Sequence, residues 1–335
     1  MSKWYESNTS GIVVSTRVRL ARNLEGIPFP GRMNETQRTE TNKKIIDAII
    51  NVPSTLSKEL KVVEMDTISD AAALAMVERH VISPSFARNR KNRRLILSDD
   101  ESISIMLGEE DHIRIQVIKG GLQLSETYEI ADKIDTLISE SLTIAFDEQL
   151  GFLTECPTNL GTGLRASVML HLPALESTGE VSQLADAVSK IGLTIRGMYG
   201  EGSGSKASLY QLSNQVTLGI SERAALDNLK SITMQMIERE QEICKNLEKI
   251  SLEDSVFRSF GILQNARLLS SDEMMQYVSK IKLGERLRII KLKDENMPIK
   301  LLIETQPAMM ALNMQVQNAT ERDIERAKIF REQLA

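Results

Sequence analysis

The sequence predicts an α+β fold, a largely antiparallel sheet flanked by helices, followed by a smaller, mainly helical unit. Three observations lead there. Short segments of strict apolar/polar alternation are interleaved with helical spacing from Gly11 to about Leu218. After Ser221 the alternation gives way to long i, i+3, i+4 patterns. No repeat or Pro-rich linker separates the two parts, so they are expected to pack together. The division expected is 11–253 for the first unit and 254–335 for the second.

Taken in order, Val13–Ala21 (VVSTRVRLA) places Ser15, Arg17 and Arg19 on one face of a strand and Val14, Val18 and Leu20 on the other. In Glu110–Val117, Ile113, Ile115 and Val117 share the buried parity, and Glu110, His112 and Arg114 the opposite one. Leu164–Leu172 sets Ala166, Val168, Leu170 and Leu172 against Arg165, Ser167, Met169 and His171. From Ser221 a long helix carries Leu226, Leu229, Ile232 and Met236 on one stripe and closes the first unit. Beyond Ser255 only RLRIIKL (Arg286–Leu292) alternates like a strand.

Composition excludes several classes. The 335 residues carry 41 Lys plus Arg against 46 Asp plus Glu, a net charge of -5, which argues against a broad footprint for nucleic acid. At 4% aromatic content a base-stacking platform is also not expected. With 41% hydrophobic and 26% charged residues the chain reads as an ordinary soluble globular protein. No apolar run reaches the roughly 18 residues of a membrane span, and the start, MSKWYESNTSG, has no apolar signal region. A cytoplasmic location follows as the expectation. Cys156 and Cys244 lack zinc-site spacing and cannot make a disulfide framework, so thiols are expected.

Arginines recur on the polar parity of successive strand-like segments: Arg17, Arg19, Arg114, Arg165 and Arg196. A single strand arginine is ordinarily a solvated surface residue. Five that converge would offer rigid donor forks to a polyphosphate whose charge also calls for Mg²⁺, and ATP is the natural ligand. The usual nucleotide motifs are absent. Gly200–Ala207 lacks the Gly-Lys-Ser/Thr ending of a phosphate-binding loop, and the catalytic-loop elements of hydroxyl-directed protein kinases are missing. Gly200, Gly202 and Gly204 form either a plain turn or a movable loop that carries Glu201 over a substrate. Carboxylate clusters such as Glu109-Glu110-Asp111 ordinarily bind only water or counterions. Beside a phosphate-binding set they gain meaning, because a guanidinium becomes a nucleophile only when carboxylates hold it and accept its proton.

Cys156-Pro157-Thr158-Asn159-Leu160-Gly161-Thr162, followed by Gly163-Leu164-Arg165-Ala166-Ser167, closely resembles the active-site motif of the ATP:guanidino phosphotransferases, the creatine and arginine kinase family. STRVRLAR (Ser15–Arg22), GEEDHIRI (Gly108–Ile115) and TIRGMYGEG (Thr194–Gly202) match that family's other blocks in the same order, over roughly residues 11 to 250. The resemblance implies a guanidino-kinase catalytic domain that uses ATP and Mg²⁺. ATP contacts would come from Ser15, Thr16, Arg17, Val18 and Arg19, from Arg114, from Arg165, Ala166, Ser167, Val168 and Met169, and from Arg196, Gly197, Met198, Tyr199 and Gly200. It also implies that Glu110 and Glu201 clamp the acceptor guanidinium, with Cys156 beside it as a thiolate favoured by neighbouring positive charge. His80, in ERHVIS, matches a nucleotide-contacting histidine of the family or is a surface histidine. No protein-held metal ligands are implied.

Departures from the small-molecule kinases narrow the reading. Their helical N-terminal domain is missing ahead of Ser15, Met169 stands where they tend to have histidine, and Tyr199 replaces an arginine. An open site would admit an arginine displayed on a protein. The McsB-type protein-arginine kinases of bacterial protein quality control share the short N-terminus and add a helical C-terminal domain. The tail here contains their RDxxRA motif as Arg322, Asp323, Arg326 and Ala327. In that subgroup the motif belongs to an allosteric phosphoarginine pocket, and the C-terminal domain mediates homodimerisation. From the sequence alone, Thr320 and Asp323 look like a variant capping box, and two arginines one turn apart call for an anion. The resemblance therefore implies transfer of the γ-phosphoryl of Mg-ATP to arginines exposed on proteins. Implied partners are a zinc-containing activator protein, a Clp-type unfoldase and protease downstream, and a stress-gene repressor, with no direct contact to nucleic acid or membrane. The alternatives are a phosphagen kinase acting on free arginine or another small guanidine, and a phosphoarginine-binding adaptor.

Overall fold

The computed structural model describes residues 2–54, 56–198, 207–314, 316 and 318–335. Ten strands are present among them: β1 (Val13–Arg22), β2 (Leu60–Glu64), β3 (Arg94–Ser98), β4 (Ile103–Leu107), β5 (Ile113–Gly120), β6 (Phe146–Asp147), β7 (Gly151–Phe152), β8 (Leu164–His171), β9 (Leu193–Gly197) and β10 (Leu209–Asn214). Eight of them form one sheet in the order β2-β3-β4-β5-β1-β8-β10-β9, with every neighbouring pair antiparallel. β6 and β7 make a separate small ribbon. This is the α+β architecture that the alternation predicts.

Both faces of the sheet are covered, each by a different set of helices. Against one face lie α1 (Glu35–Ile50), α4 (Leu124–Ser141) and α7 (Glu222–Lys245). There Val18, Leu20, Ile113, Ile115, Val117, Ala166, Val168 and Leu170 meet Ile45, Ile49, Ile134, Ile138, Leu226 and Leu229, nearly all removed from water. Each such side chain contributes about 1.5–3 kcal/mol on burial. α7 is capped by Ser221, whose hydroxyl accepts from Ala224 N at 3.2 Å. α5 (Pro173–Ser177) and α6 (Glu180–Ser189) lead into β9.

The other face is shared. α2 (Asp70–Glu78) and α3 (Pro84–Arg88) cover β3 and β4 through Ala73, Phe86, Ala87, Leu95 and Met106. The C-terminal helices α8 (Lys249–Asn265), α9 (Ser271–Arg286), α10 (Met297–Glu304) and α12 (Ala319–Leu334) meet Val14, Ile118, Met169 and Leu209 of the sheet in a second core, while α11 (Pro307–Met314) packs on α2, where Glu78 accepts from Ala308 N and Met309 N. The C-terminal helices thus have no core of their own apart from the sheet. Lys282 of α9, buried, donates to Thr9 O and Ser10 O at 2.5 and 2.7 Å, and Asn296 Oδ1 accepts from Thr9 N at 2.8 Å.

Three local expectations are corrected. Val14 lies with Ile118 and Met169 on the arginine face, because an irregularity between Val13 and Ser15 in the pairing with β8 breaks the alternation there. Arg286–Leu292 is no strand. α9 ends at Arg286 and Arg288 takes a left-handed φ of 60°, after which Ile290 and Leu292 fold back into the second core. His112 does not face the polar side: strand β5 starts one residue later, and the buried ring accepts from Leu24 N at 3.0 Å while Nε2 meets Pro28 O at 2.8 Å.

Candidate active site

Strand register assembles the arginines. Arg19 stands opposite Gln116 of β5 and Arg165 of β8, Arg17 opposite Ser167, and Ala21 opposite Arg114. Across β10, Gln211 pairs with Met169 on one side and Arg196 on the other. Directly opposed residues share a face, so one parity on five strands gathers all five arginines where neither α2–α3 nor the C-terminal helices cover the sheet. They line a cavity of about 440 Å³ together with His80, Gln116, Gly197, Met198 and Gln211. A smaller cavity of about 110 Å³ is lined by Arg19, Arg114 and Arg165 again, and by Glu110, Thr158 and Asn159. Three guanidiniums therefore line both spaces.

The arginines are held in place by polar neighbours. Arg17 Nη2 donates to Gln211 Oε1 at 2.9 Å. Arg114 is paired with the buried Glu109 and, at 3.3 Å, with Glu110 Oε2. Glu109 also accepts from the Ser83 hydroxyl, which ties α3 to the site. Gln116 Nε2 reaches His80 O at 2.8 Å and Ser104 Oγ at 3.0 Å, fixing the turn in which His80 adopts a φ of 60°.

Positive charge is crowded here. Burial, then the charges of Arg114 and Arg165, push Arg17 down to about 10. Arg19 is pushed well below its ordinary value by burial and by Arg17, Arg114 and Arg165, with Glu109 opposing. Its Nε is buried without a hydrogen-bond partner among the described residues. A guanidinium keeps its proton at neutral pH, so the crowding stands as repulsion that a polyanion would relieve. Burial and the Arg17 charge likewise push His80 down to about 3, leaving it a neutral wall residue. The donor set fits the phosphates of ATP.

The smaller cavity is shaped by the loop after β7, which supplies Thr158, Asn159 and Gly163 to its lining. Gly163 has a φ of +62°, and a Cβ there would lie 2.6 Å from Ala21 O, so only glycine lets this loop close over the end of β1. Arg22 pins the same loop from the other face. Its Nη1 donates to Thr162 O at 3.0 Å, its Nη2 pairs with Asp135 of α4 at 2.7 Å, and its guanidinium stacks 3.5 Å over Phe152. Cys156, half-buried, precedes the turn Pro157–Asn159, with Sγ 3.0 Å from Thr158 Oγ1.

Sequence-derived candidates divide into groups. Arg17, Arg19, Arg114, Arg165, Arg196, Gly197, Met198 and His80 meet at one cavity, so His80 is a half-buried wall residue of that cavity. Glu110 joins the adjoining one. Ser15 and Met169 are buried on the same face, and Ser167 Oγ lies 3.5 Å from Arg17 O. Val18, Ala166 and Val168 point into the opposite core. Thr16 also faces away: its hydroxyl donates to Gly121 O at 2.7 Å and accepts from Gln123 N at 3.0 Å. Tyr199, Gly200 and Glu201 lie outside the described residues.

At the start of α12, Arg326 and Ala327 are fully buried while Arg322 and Asp323 are half-buried. Arg326 donates to Thr305 O at 3.0 Å, to Leu269 O at 2.7 Å and to Asp323 Oδ1 at 2.6 Å. The anion that meets this arginine is thus internal.

Sequence reasoning passed over Gln116, Gln211 and Glu109. The two glutamines share the arginines' parity, so alternation could have found them. Nothing local distinguishes Glu109 from its neighbours; only the turn into β5 decides that Glu109 and Asp111 are buried, Glu109 against Arg114 and Asp111 against Asn23, while Glu110 is left half-buried.

The three histidines, His80, His112 and His171, are all held below their ordinary value, in each case chiefly by burial. The unfolded chain takes up these protons near pH 6.5 while the folded one does not, so stability falls as pH drops through that value. Each histidine that stays neutral costs about 1.4 kcal/mol per pH unit below it. Urea unfolding at pH 7.5 and 5.5 is expected to show a lower midpoint at 5.5, and equal midpoints would contradict the burial of these rings.

Comparison with known proteins gives the family. Residues 40–243 match the model of the ATP:guanido phosphotransferase C-terminal catalytic domain, and residues 249–335 that of the protein-arginine kinase McsB C-terminal domain. A protein-arginine kinase from Clostridium kluyveri is 44% identical over 100% of this chain and 99% of its own length. One from Halothermothrix orenii is 43% identical over 96% and 93% respectively, and one from Brevibacillus brevis 44% identical over 99% and 95%. Among solved structures, lombricine kinase superposes with a TM-score of 0.62 at 23% identity, over 70% of this chain and 68% of that one. The duplicated taurocyamine kinase from Schistosoma mansoni gives 0.63 at 27% identity, over 79% and 38%. An eight-stranded antiparallel sheet that lines up five arginines, matched along its whole length by these relatives, places the chain in the ATP:guanido phosphotransferase family, among its protein-arginine kinases.

Proposed function

We propose that the protein transfers the γ-phosphoryl of Mg-ATP to arginine side chains of other proteins. The observation that carries this is the sharing of Arg19, Arg114 and Arg165 by two adjoining cavities. The larger suits the nucleotide, with Mg²⁺ arriving on its phosphates. The smaller, with Glu110 at its wall, suits the acceptor guanidinium, which Glu110 orients and whose proton it accepts. Arginines lining both would neutralise the phosphoryl group in flight, so catalysis rests on alignment and charge, as in phosphoryl transfer generally. Glu201 is the second carboxylate of the clamp in this reading, and Cys156 sits at its edge and orients the guanidinium without a covalent bond.

Residues 11–253 act as the catalytic unit and 254–335 as the unit that dimerises and binds phosphoarginine through Arg322, Asp323, Arg326 and Ala327. The work is cytoplasmic; among the described residues no helix is long and apolar enough to cross a membrane. A zinc-containing activator, a Clp-type unfoldase acting on the marked proteins and a stress-gene repressor as substrate complete the reading.

The test is a ³¹P NMR assay at neutral to alkaline pH with Mg-ATP and either an unfolded arginine-containing protein or free arginine. A phosphoramidate signal on the protein is expected, and signal on free arginine alone would make this a small-guanidine kinase. Glu110→Gln is expected to lower kcat by about 10²–10⁴-fold, the usual worth of a positioned base, with ATP affinity little changed. Loss of ATP affinity instead would move Glu110 to the nucleotide side.

A further inference from the structure

A second concentration of positive charge lies beside the active site. In a chain of net charge -5, residues 86–94 (FARNRKNRR) contain Arg88, Arg90, Lys91, Arg93 and Arg94 and no acid. The end of α3, a turn in which Asn92 takes a φ of 56°, and the start of β3 fold this segment around an open cavity of about 600 Å³. Its charged lining is Arg38, Arg88, Arg90, Lys91 and Arg93, with Asp66 the lone carboxylate. Arg90 and Lys91 have exposed acidic partners, Asp70 and Glu35. The other three have no carboxylate within ion-pair reach among the described residues. Arg38 donates to the carbonyls of Pro30 and Met33. Arg93, buried 5.3 Å over the Phe86 ring, donates to Ser85 O and Glu109 O at 3.0 and 3.5 Å. Arg88 is exposed, and its side chain makes no hydrogen bond or ion pair among the described residues.

This cavity adjoins the machinery from behind. Glu109, whose carbonyl meets Arg93, holds Arg114 with its carboxylate. Ser83 and Pro84, at the other end of α3, line the nucleotide cavity. The loop that Arg38 grips touches the acceptor side, since Gly31 N lies 3.5 Å from Glu155 Oε2, next to Cys156. Guanidinium forks without carboxylates fit a phosphoryl or carboxylate group. Nucleic acid is the poorer match: the cluster is one cavity rather than a stripe, and its one aromatic, Phe86, is buried.

We propose that this cavity is a docking subsite for an anionic side chain borne by the protein substrate, a carboxylate or a phosphoarginine left by an earlier turnover. It rests on the protein-arginine kinase reading, and its test is binding, which needs no turnover. Three labelled peptides sharing one arginine and carrying a Glu tract, a Gln tract or a phosphoarginine are titrated by fluorescence anisotropy into full-length protein, here the wild-type reference, and into R88E/K91E, both also carrying R322A so that the phosphoarginine pocket proposed at α12 does not contribute. Both substituted residues are exposed and outside the catalytic set. Wild type should bind the anionic peptides roughly tenfold more tightly than the Gln peptide, with the advantage shrinking at high salt. R88E/K91E should lose that advantage while keeping kcat and the KM for ATP with the Gln peptide. A gain for the phosphoarginine peptide alone identifies the subsite as one for product, and a gain for both as one for acidic segments generally. Equal binding of all three by wild type, an advantage that survives R88E/K91E, or displacement of the anionic peptides by an oligonucleotide of equal charge more readily than by one another overturns the proposal. Absence of phosphotransfer to any peptide, with the binding pattern intact, would count against the kinase reading and leave the subsite standing.

Discussion

Arg19→Met is expected to lower kcat/KM by about 10³-fold or more, the worth of an arginine on a transferring phosphoryl group, without lowering the stability of the nucleotide-free fold. Arg19 lines both cavities and is pressed by the charges of Arg17, Arg114 and Arg165. A half-buried charge crowded by three others costs folding energy, and replacement of buried charged groups by apolar side chains of similar volume is often neutral or stabilising by about 1–4 kcal/mol. Activity and stability should therefore move in opposite directions, as where a site keeps strain for function. Thermal unfolding with and without Mg-ATP checks both halves. The wild type should gain in Tm with nucleotide through mass action, and Arg19→Met should start at the same Tm or higher and gain much less. A fall of several degrees in the nucleotide-free variant would show that Arg19 is a structural arginine like Arg22.

Arg326→Ala is expected to have the largest effect on stability, about 3–5 kcal/mol, the usual cost of removing one member of a buried charged network. The change strips donors from Thr305 O and Leu269 O and leaves Asp323 facing a void. Leu269 N also donates to Asp323 O at 3.0 Å, so the α8–α9 connection would loosen with it. Urea unfolding followed by circular dichroism should show a lower midpoint; a change below about 1 kcal/mol would mean the bonds are replaced by water. Response to free phosphoarginine is therefore better probed at Arg322, half-buried on the same turn, than at Arg326, whose loss would disturb the helices as well.

The legible parts of the molecule were those carried by short-range periodicity or by ordered motifs. Strands β1, β5 and β8 and helix α7 lie where alternation and i, i+3, i+4 spacing place them. The parity of Arg17, Arg19, Arg114 and Arg165 holds, because side chains on a strand must alternate. What failed was local. An irregularity turned Val14 over, and RLRIIKL, alternating on paper, became a helix end because α9 runs to its first residue, Arg286, and Arg288 supplied the left-handed residue.

The sequence by itself determined the fold class, the family and the common face of Arg17, Arg19, Arg114 and Arg165, since these reside in alternation and in contiguous motifs. Only the tertiary structure decided that Arg22 braces the loop after β7, that Glu109 rather than solvent holds Arg114, and that Arg326 is sealed among carbonyls. It alone brought Arg38 beside Arg88 and Arg93. The physical reason is that burial and ion pairing depend on which distant residues the sheet register and helix packing bring within a few ångströms, and spacing along a chain does not encode those distances.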